Sequence, residues 1–130
     1  MTGWAEQTFQ SLSLEQKLGQ LMVSYLNDEK AVRDLARRGA LGGLYSVGAK
    51  TVRGAAEWIR EIQQESQVPL LVCSDFEYGN PFEGGTRLPS SLAVGATGNP
   101  ELARAAGRMT ALEAKAMGFR LMGSPVCDVN

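Results

Sequence analysis

Short apolar runs alternate with amphipathic segments along this chain, and no other feature limits its fold so sharply. Residues 21–26 (LMVSYL), 41–47 (LGGLYSV), 70–73 (LLVC) and 119–129 (FRLMGSPVCDV) read as strands. The third has the length and composition of a strand buried on both faces. Helical patterns separate them. Residues 28–38 put Ala31, Val32, Leu35 and Ala36 at helical spacing, with Gly39 as a stop. Residues 51–67 place Ala55, Ala56, Trp58, Ile59 and Ile62 on one apolar face, and Arg53, Glu57, Arg60, Glu61 and Glu65 toward water. Pro69 cannot continue that helix. Asn99 caps a further helix, with Pro100 at its first position. It runs to Met117, with Leu102, Ala105, Ala106, Met109, Leu112, Glu113 and Ala116 toward its inner face, and Gly118 ends it.

This alternation predicts parallel strands joined by right-handed crossovers. Four units of a (β/α)8 barrel and a small open doubly wound sheet fit the pattern equally well. Neither GxGxxG nor GxxxxGK[ST] follows any strand, so a phosphate-binding open sheet gains no support. Residues 1–12 form an arm or short helix, with Trp4 and Phe9 available for packing. Ser13 and Gln16 make a capping box for a short helix from Leu14 to about Gly19. Gly42 and Gly43, inside the second strand, predict close approach of a neighbouring element. Residues 88–96 show no clear periodicity.

The 130 residues amount to one modest domain. A net charge of −1 gives no reason to expect nucleic acid or a membrane surface as partner. No stretch approaches the roughly 20 apolar residues of a membrane span. No basic segment followed by an apolar run opens the sequence, so no signal peptide is expected, and a cytoplasmic location is slightly favoured. Cys73 and Cys127 are too few for a disulfide framework and, lying in predicted strands, read as small buried apolar residues. Histidine is absent, which excludes Ser–His and Cys–His catalysis within the chain and makes zinc an unsuitable expectation. No cofactor is implied, and Asp75, Glu77 and Asp128 lack a spacing that demands a metal.

The chemistry concentrates between Pro69 and Pro89. Here an apolar strand delivers Asp75 and Glu77 into a loop rich in Gly and Pro, the arrangement in which parallel α/β folds place ligand sites. The two carboxylates project to one side if the strand continues that far. They could equally serve to accept backbone N–H bonds and tie the loop down. Tyr78 and Phe82 either form an aromatic wall or pack the loop.

Several segments, taken in order, resemble the N-terminal catalytic domain of glycoside hydrolase family 3. Residues 14–21 (LEQKLGQL) are similar to its opening motif, and Gly42-Gly43-Leu44 to its second strand. Pro69-Leu70-Leu71-Val72 leading to Asp75-Phe76-Glu77 resembles its central strand and loop. Leu88-Pro89-Ser90, residues 96–103 (ATGNPELA), Glu113, Ala114, Gly118 and residues 125–130 (PVCDVN) follow at the family's spacing. The resemblance covers residues 13–130, and its specificity lies in the order of the motifs.

It implies the N-terminal half of a (β/α)8 TIM-type barrel, about four βα units, truncated after the fourth strand. It further implies a retaining exo-acting β-glycosidase with a small carbohydrate substrate: a β-glucoside, β-xyloside or N-acetyl-β-glucosaminide. By the same match Asp75 holds hydroxyls of the terminal sugar, and Asp128 supports it at the pocket rim. Glu77 and Arg87 complete the substrate-binding set. The family's Gly-Gly and nearby Arg are displaced here by Tyr78 to Phe82, so the arginine role falls on Arg87 only loosely. The family's nucleophile and acid/base lie beyond Asn130, so this chain contributes no catalytic residue. A half barrel is expected to self-associate or to pair with its missing C-terminal half. The alternative is a non-catalytic half barrel acting as a carbohydrate-binding or assembly module.

Overall fold

The computed structural model describes residues 3–126. Helix α1 (Trp4–Ser11) and helix α2 (Leu14–Gly19) lead into strand β1 (Val23–Tyr25). Helix α3 (Glu29–Arg37), strand β2 (Gly43–Tyr45), helix α4 (Val52–Glu65) and strand β3 (Leu71–Ser74) follow. Helix α5 (Ser91–Ala96), helix α6 (Pro100–Met117) and strand β4 (Leu121–Met122) complete the order.

Local chemistry sets the helix ends. Ser13 and Gln16 form the capping box reciprocally. Asp28, Thr51 and Asn99 accept from the first-turn amides of α3, α4 and α6. Gly39 and Gly118 stop α3 and α6 at φ 66° and 103°, a region costly for any residue with a Cβ.

The four strands are parallel in the order β1-β2-β3-β4. A doubly wound sheet reverses its strand order midway and carries helices on both faces. This sheet does neither. Each crossover moves one strand in the same direction, so right-handedness puts the connecting helices on one face. Leu44 and Val72, aligned across β2 and β3, point to that face and are wholly buried. They pack with Val32 and Ala36 of α3, Ala55, Ile59 and Ile62 of α4, and Ala114 and Met117 of α6. Arg33 bonds to Glu29 and to Glu65, and the Trp58 indole donates to Glu29, so α3 and α4 are also tied along their outer seam.

The opposite face carries Val23, Tyr25, Leu71 and Leu121, all exposed. One covered face and one open apolar face is the arrangement of consecutive βα units in half of a (β/α)8 barrel.

Four expectations need correction. The strands are shorter than the apolar runs, because parallel pairing rather than composition sets their ends. Residues 91–96 form helix α5, capped by Ser90, despite their lack of periodicity. The buried stripe of α6 is Thr110, Ala114 and Met117, about a quarter turn from the stripe expected from sequence. Leu102, Met109 and Leu112 are exposed. Helix α6 is apolar on two sides, and the side bearing Ala114 and Met117 joins the core with Ile59 of α4. Finally, β3 ends at Ser74, so Asp75 and Glu77 do not continue a strand. Among the described residues no helix is long and apolar enough to cross a membrane.

Candidate functional site

The C-terminal ends of β2, β3 and β4 meet at Asp75. Register aligns Tyr25 with Tyr45, Tyr45 with Cys73, and Cys73 with Leu121 on the open face. Asp75 follows β3 directly and is exposed. The Tyr45 hydroxyl stands beside its carboxylate over Gly123, and hydrogen bonding toward Asp75, then desolvation and the carboxylate's charge, push the phenol up to about 12. The Tyr25 ring lies against Tyr45 with centroids 4.8 Å apart. Beneath them Cys73 is buried and its thiol donates to Leu44 O at 3.2 Å. Burial, then the charge of Asp75, holds that thiol above its ordinary range, so it has little thiolate character.

Two backbone features frame this arrangement. Ser46 takes φ 67°, uncommon for a residue with a side chain, and its amide donates to Cys73 O at 2.8 Å. The chain thus turns out of the sheet immediately after Tyr45. Gly123 continues the ladder past β4, its amide donating to Ser74 O at 3.1 Å.

The loop after β3 is organised by a different pair. Asn80 is 1% exposed, and its side chain makes three bonds. Its amide donates to Glu113 Oε2 at 2.9 Å and to Met117 Sδ, and its oxygen accepts from the Phe82 amide at 3.1 Å. Glu113 also accepts the Thr86 amide at 3.1 Å. The loop is therefore tied by a carboxylate on α6, not by Asp75 or Glu77. Thr86 and then Asn80 hold the Glu113 carboxyl below its ordinary value. A lowered folded-state value adds stability at neutral pH, which is lost as pH falls from about 4.5 through the folded value. Glu113→Gln should flatten stability against pH in that acid window, measured as the urea midpoint between about pH 5 and 3.

The remaining expected site residues have separate surroundings. Glu77 is half-buried in a cleft of about 390 Å³ shared with Leu88, Pro89, Val94, Ala106 and Met122. The Arg87 guanidinium lies 6.0 Å from the centroid of the Tyr78 ring. Asp128 and Cys127 lie outside the described residues. Phe82 belongs to the core, while Tyr78 remains exposed beside Arg87.

Sequence reasoning missed Tyr25, Tyr45 and Gly123. The signal was a tyrosine near the end of each of the first two apolar runs. Strands drawn to residues 26 and 47 hid the fact that both tyrosines are the last strand residue.

The fold and the placement of Asp75 define a class: consecutive parallel βα units with an exposed carboxylate at the C-terminal strand ends. The chain belongs to glycosyl hydrolase family 3, whose N-terminal domain profile matches residues 13–130. It is 29% identical over 131 residues to a beta-N-acetylglucosaminidase/beta-glucosidase of Cellulomonas fimi, covering 98% of this chain and 23% of that protein. It is 24% identical over 123 residues to the periplasmic beta-glucosidase of Salmonella typhimurium, covering 92% of this chain and 15% of that one. Among solved structures, beta-glucoside phosphorylase BglX bound to 2FGlc superposes with a TM-score of 0.77 at 26% identity, over 94% of this chain and 23% of that one. LpqI of M tuberculosis shares the fold, with a TM-score of 0.79 at 22% identity over 99% of this chain and 39% of that one. The chain thus spans less than a quarter of the length of these curated relatives.

Proposed function

We propose that this chain supplies sugar-holding residues to a retaining exo-acting β-glycosidase that removes terminal β-D-glucosyl or N-acetyl-β-D-glucosaminyl units. The observation that carries the reading is the exposed Asp75 carboxylate, standing directly after β3 where parallel strands end. A carboxylate accepts two hydroxyl donors at once, and such charge-assisted bonds are strong. Support for the substrate class comes from the named activities of the relatives from Cellulomonas fimi and Salmonella typhimurium. Asp128, Glu77 and Arg87 serve as further substrate contacts in this reading.

Retaining hydrolysis needs one group to attack the anomeric carbon and another to protonate the leaving oxygen, roughly 5–5.5 Å apart when both are carboxyls. In this reading neither group comes from residues 1–130. The open face bearing Val23, Tyr25, Leu71 and Leu121 supports a further part, that this half barrel pairs with another set of strands. The same open face favours the second reading, a non-catalytic half barrel acting as a binding or assembly module.

The test is calorimetric titration of the chain with methyl β-D-glucoside and with N-acetylglucosamine. Asp75→Asn should weaken binding about tenfold or more, the scale of one charged hydrogen bond. Unchanged affinity in that variant would remove Asp75 from the sugar site. Hydrolysis of an aryl β-glycoside by the 130-residue chain, lost in Asp75→Asn, would show that the catalytic groups are present after all.

A further inference from the structure

Tyr45, Asp75 and Gly123 come from three successive βα units, and their juxtaposition gives the Asp75 carboxylate a defined seat. A Cβ placed on Gly123 would stand 2.6 Å from Asp75 Oδ1 and 3.6 Å from the Tyr45 hydroxyl oxygen. The carboxylate oxygen therefore lies over a bare Cα, in space that any other residue at position 123 would occupy, with the Tyr45 hydroxyl at ordinary contact distance from the same point. Tyr45 is itself constrained on several sides. Tyr25 packs on its ring, Cys73 lies opposite it in register, and the left-handed turn at Ser46 follows it at once.

We propose that Tyr45 is a positioning residue for Asp75: its phenol donates to the carboxylate and holds it over Gly123, leaving acceptor capacity for a sugar hydroxyl. The inference rests on the reading of Asp75 as a sugar-binding carboxylate and assigns the group that orients it. An exposed Asp at the end of a strand otherwise samples several rotamers, and ordering it on ligand binding costs affinity. A carboxylate already ordered by a fixed donor avoids that cost. It has lone-pair sites for about four donors, so one phenol leaves room for ligand hydroxyls. Gly123 contributes by what it lacks. Gly123→Ala should move the carboxylate more than it perturbs the fold, because the clash falls on the free end of a side chain.

Two measurements on the chain test this. The first uses tyrosine labelled with ¹³C at Cζ, with the Tyr45 resonance assigned by its loss in Tyr45→Phe. At pH 11 the wild-type Tyr45 should remain mainly protonated, since its value is near 12. In Asp75→Asn it should be mainly ionised, as for an ordinary tyrosine near about 10. A wild-type Tyr45 already ionised at pH 11 would overturn the proposal. A purely structural role for the ring would not produce this dependence on Asp75.

The second measurement is sugar affinity at neutral pH. Tyr45→Phe, which keeps the ring against Tyr25, should weaken binding of methyl β-D-glucoside roughly tenfold, the scale of one hydrogen bond in affinity. Gly123→Ala should weaken it to a similar extent with the hydroxyl still present. Loss of binding in Asp75→Asn with wild-type affinity in Tyr45→Phe would overturn the positioning role alone. Binding indifferent to Asp75→Asn would overturn the sugar-site reading and the positioning role with it.

Discussion

Gly42→Ala is expected to destabilise the fold by about 3 kcal/mol, the upper end of the usual overpacking range, or more. A Cβ on Gly42 would stand 2.0 Å from the carbonyl oxygen of Gln20 and 2.6 Å from its carbon. The obstacle is backbone, and that backbone is pinned. The Gln20 amide donates to Gln16 O at 2.9 Å, and its side chain donates to Gly39 O and Leu41 O. Gly42 itself donates to Met22 O at 3.1 Å. Neither side can yield without breaking the bonds that seat β1 beside β2. Against a typical total of about 5–15 kcal/mol, such a loss is a large fraction. The check is urea unfolding, with a lowered midpoint and an unchanged slope. Gly107→Ala in α6, where nothing stands within 4 Å, is the control and should be neutral or stabilising.

Phe119→Ala should cost about 3–5 kcal/mol, as for other large core aromatics. Phe119 is 2% exposed and lies where α6 hands over to β4. Its ring meets Phe76 edge-on at 5.2 Å and Phe82 at 5.7 Å. Those partners flank the loop after β3, and Phe76 sits directly between Asp75 and Glu77. The truncation should therefore reach beyond global stability. Amides at Gly79, Asn80, Gly85 and Leu88, all bonded within that loop, should exchange with deuterium faster than in the wild type after correction for the global change. A stability loss below about 1 kcal/mol would mean that the three-ring cluster does not anchor the loop.

These two positions differ in how far the sequence announced them. Gly42, with Gly43, stood inside a strand pattern, where glycine implies close approach. The structure supplies the neighbours: Gln20 backbone for Gly42, and Leu71 O, 2.5 Å from a virtual Cβ, for Gly43. Phe119 gave no such signal, since an apolar residue at a strand start fits many packings.

The same division runs through the whole chain. Most helices were legible because their ends are written locally, in Ser13 with Gln16, in Asn99 with Pro100, and in Gly39 and Gly118; the short α5 was not, although Ser90 caps it. The βα alternation made parallel strands legible, and the ordered motifs made the family legible. Asp75 was legible as the residue that follows the buried central strand. What required tertiary structure depends on partners distant in sequence. Strand ends follow from pairing, so residues 21–26 shrink to Val23–Tyr25. The inward side of α6 follows from packing against α4 in the core, since the helix is apolar on two sides. Loop anchoring fell to Asn80 and Glu113, 33 residues apart, rather than to the carboxylates inside the loop. The company of Asp75, with Tyr45 some 30 residues before it and Gly123 almost 50 after, exists only because three strands lie side by side. Most of the segments that form elements, and the place of Asp75 after the third strand, can be read along the chain, because those are properties of neighbours in sequence. Tertiary structure alone decided which side chains surround that carboxylate, because contacts between strands are set by register and not by spacing.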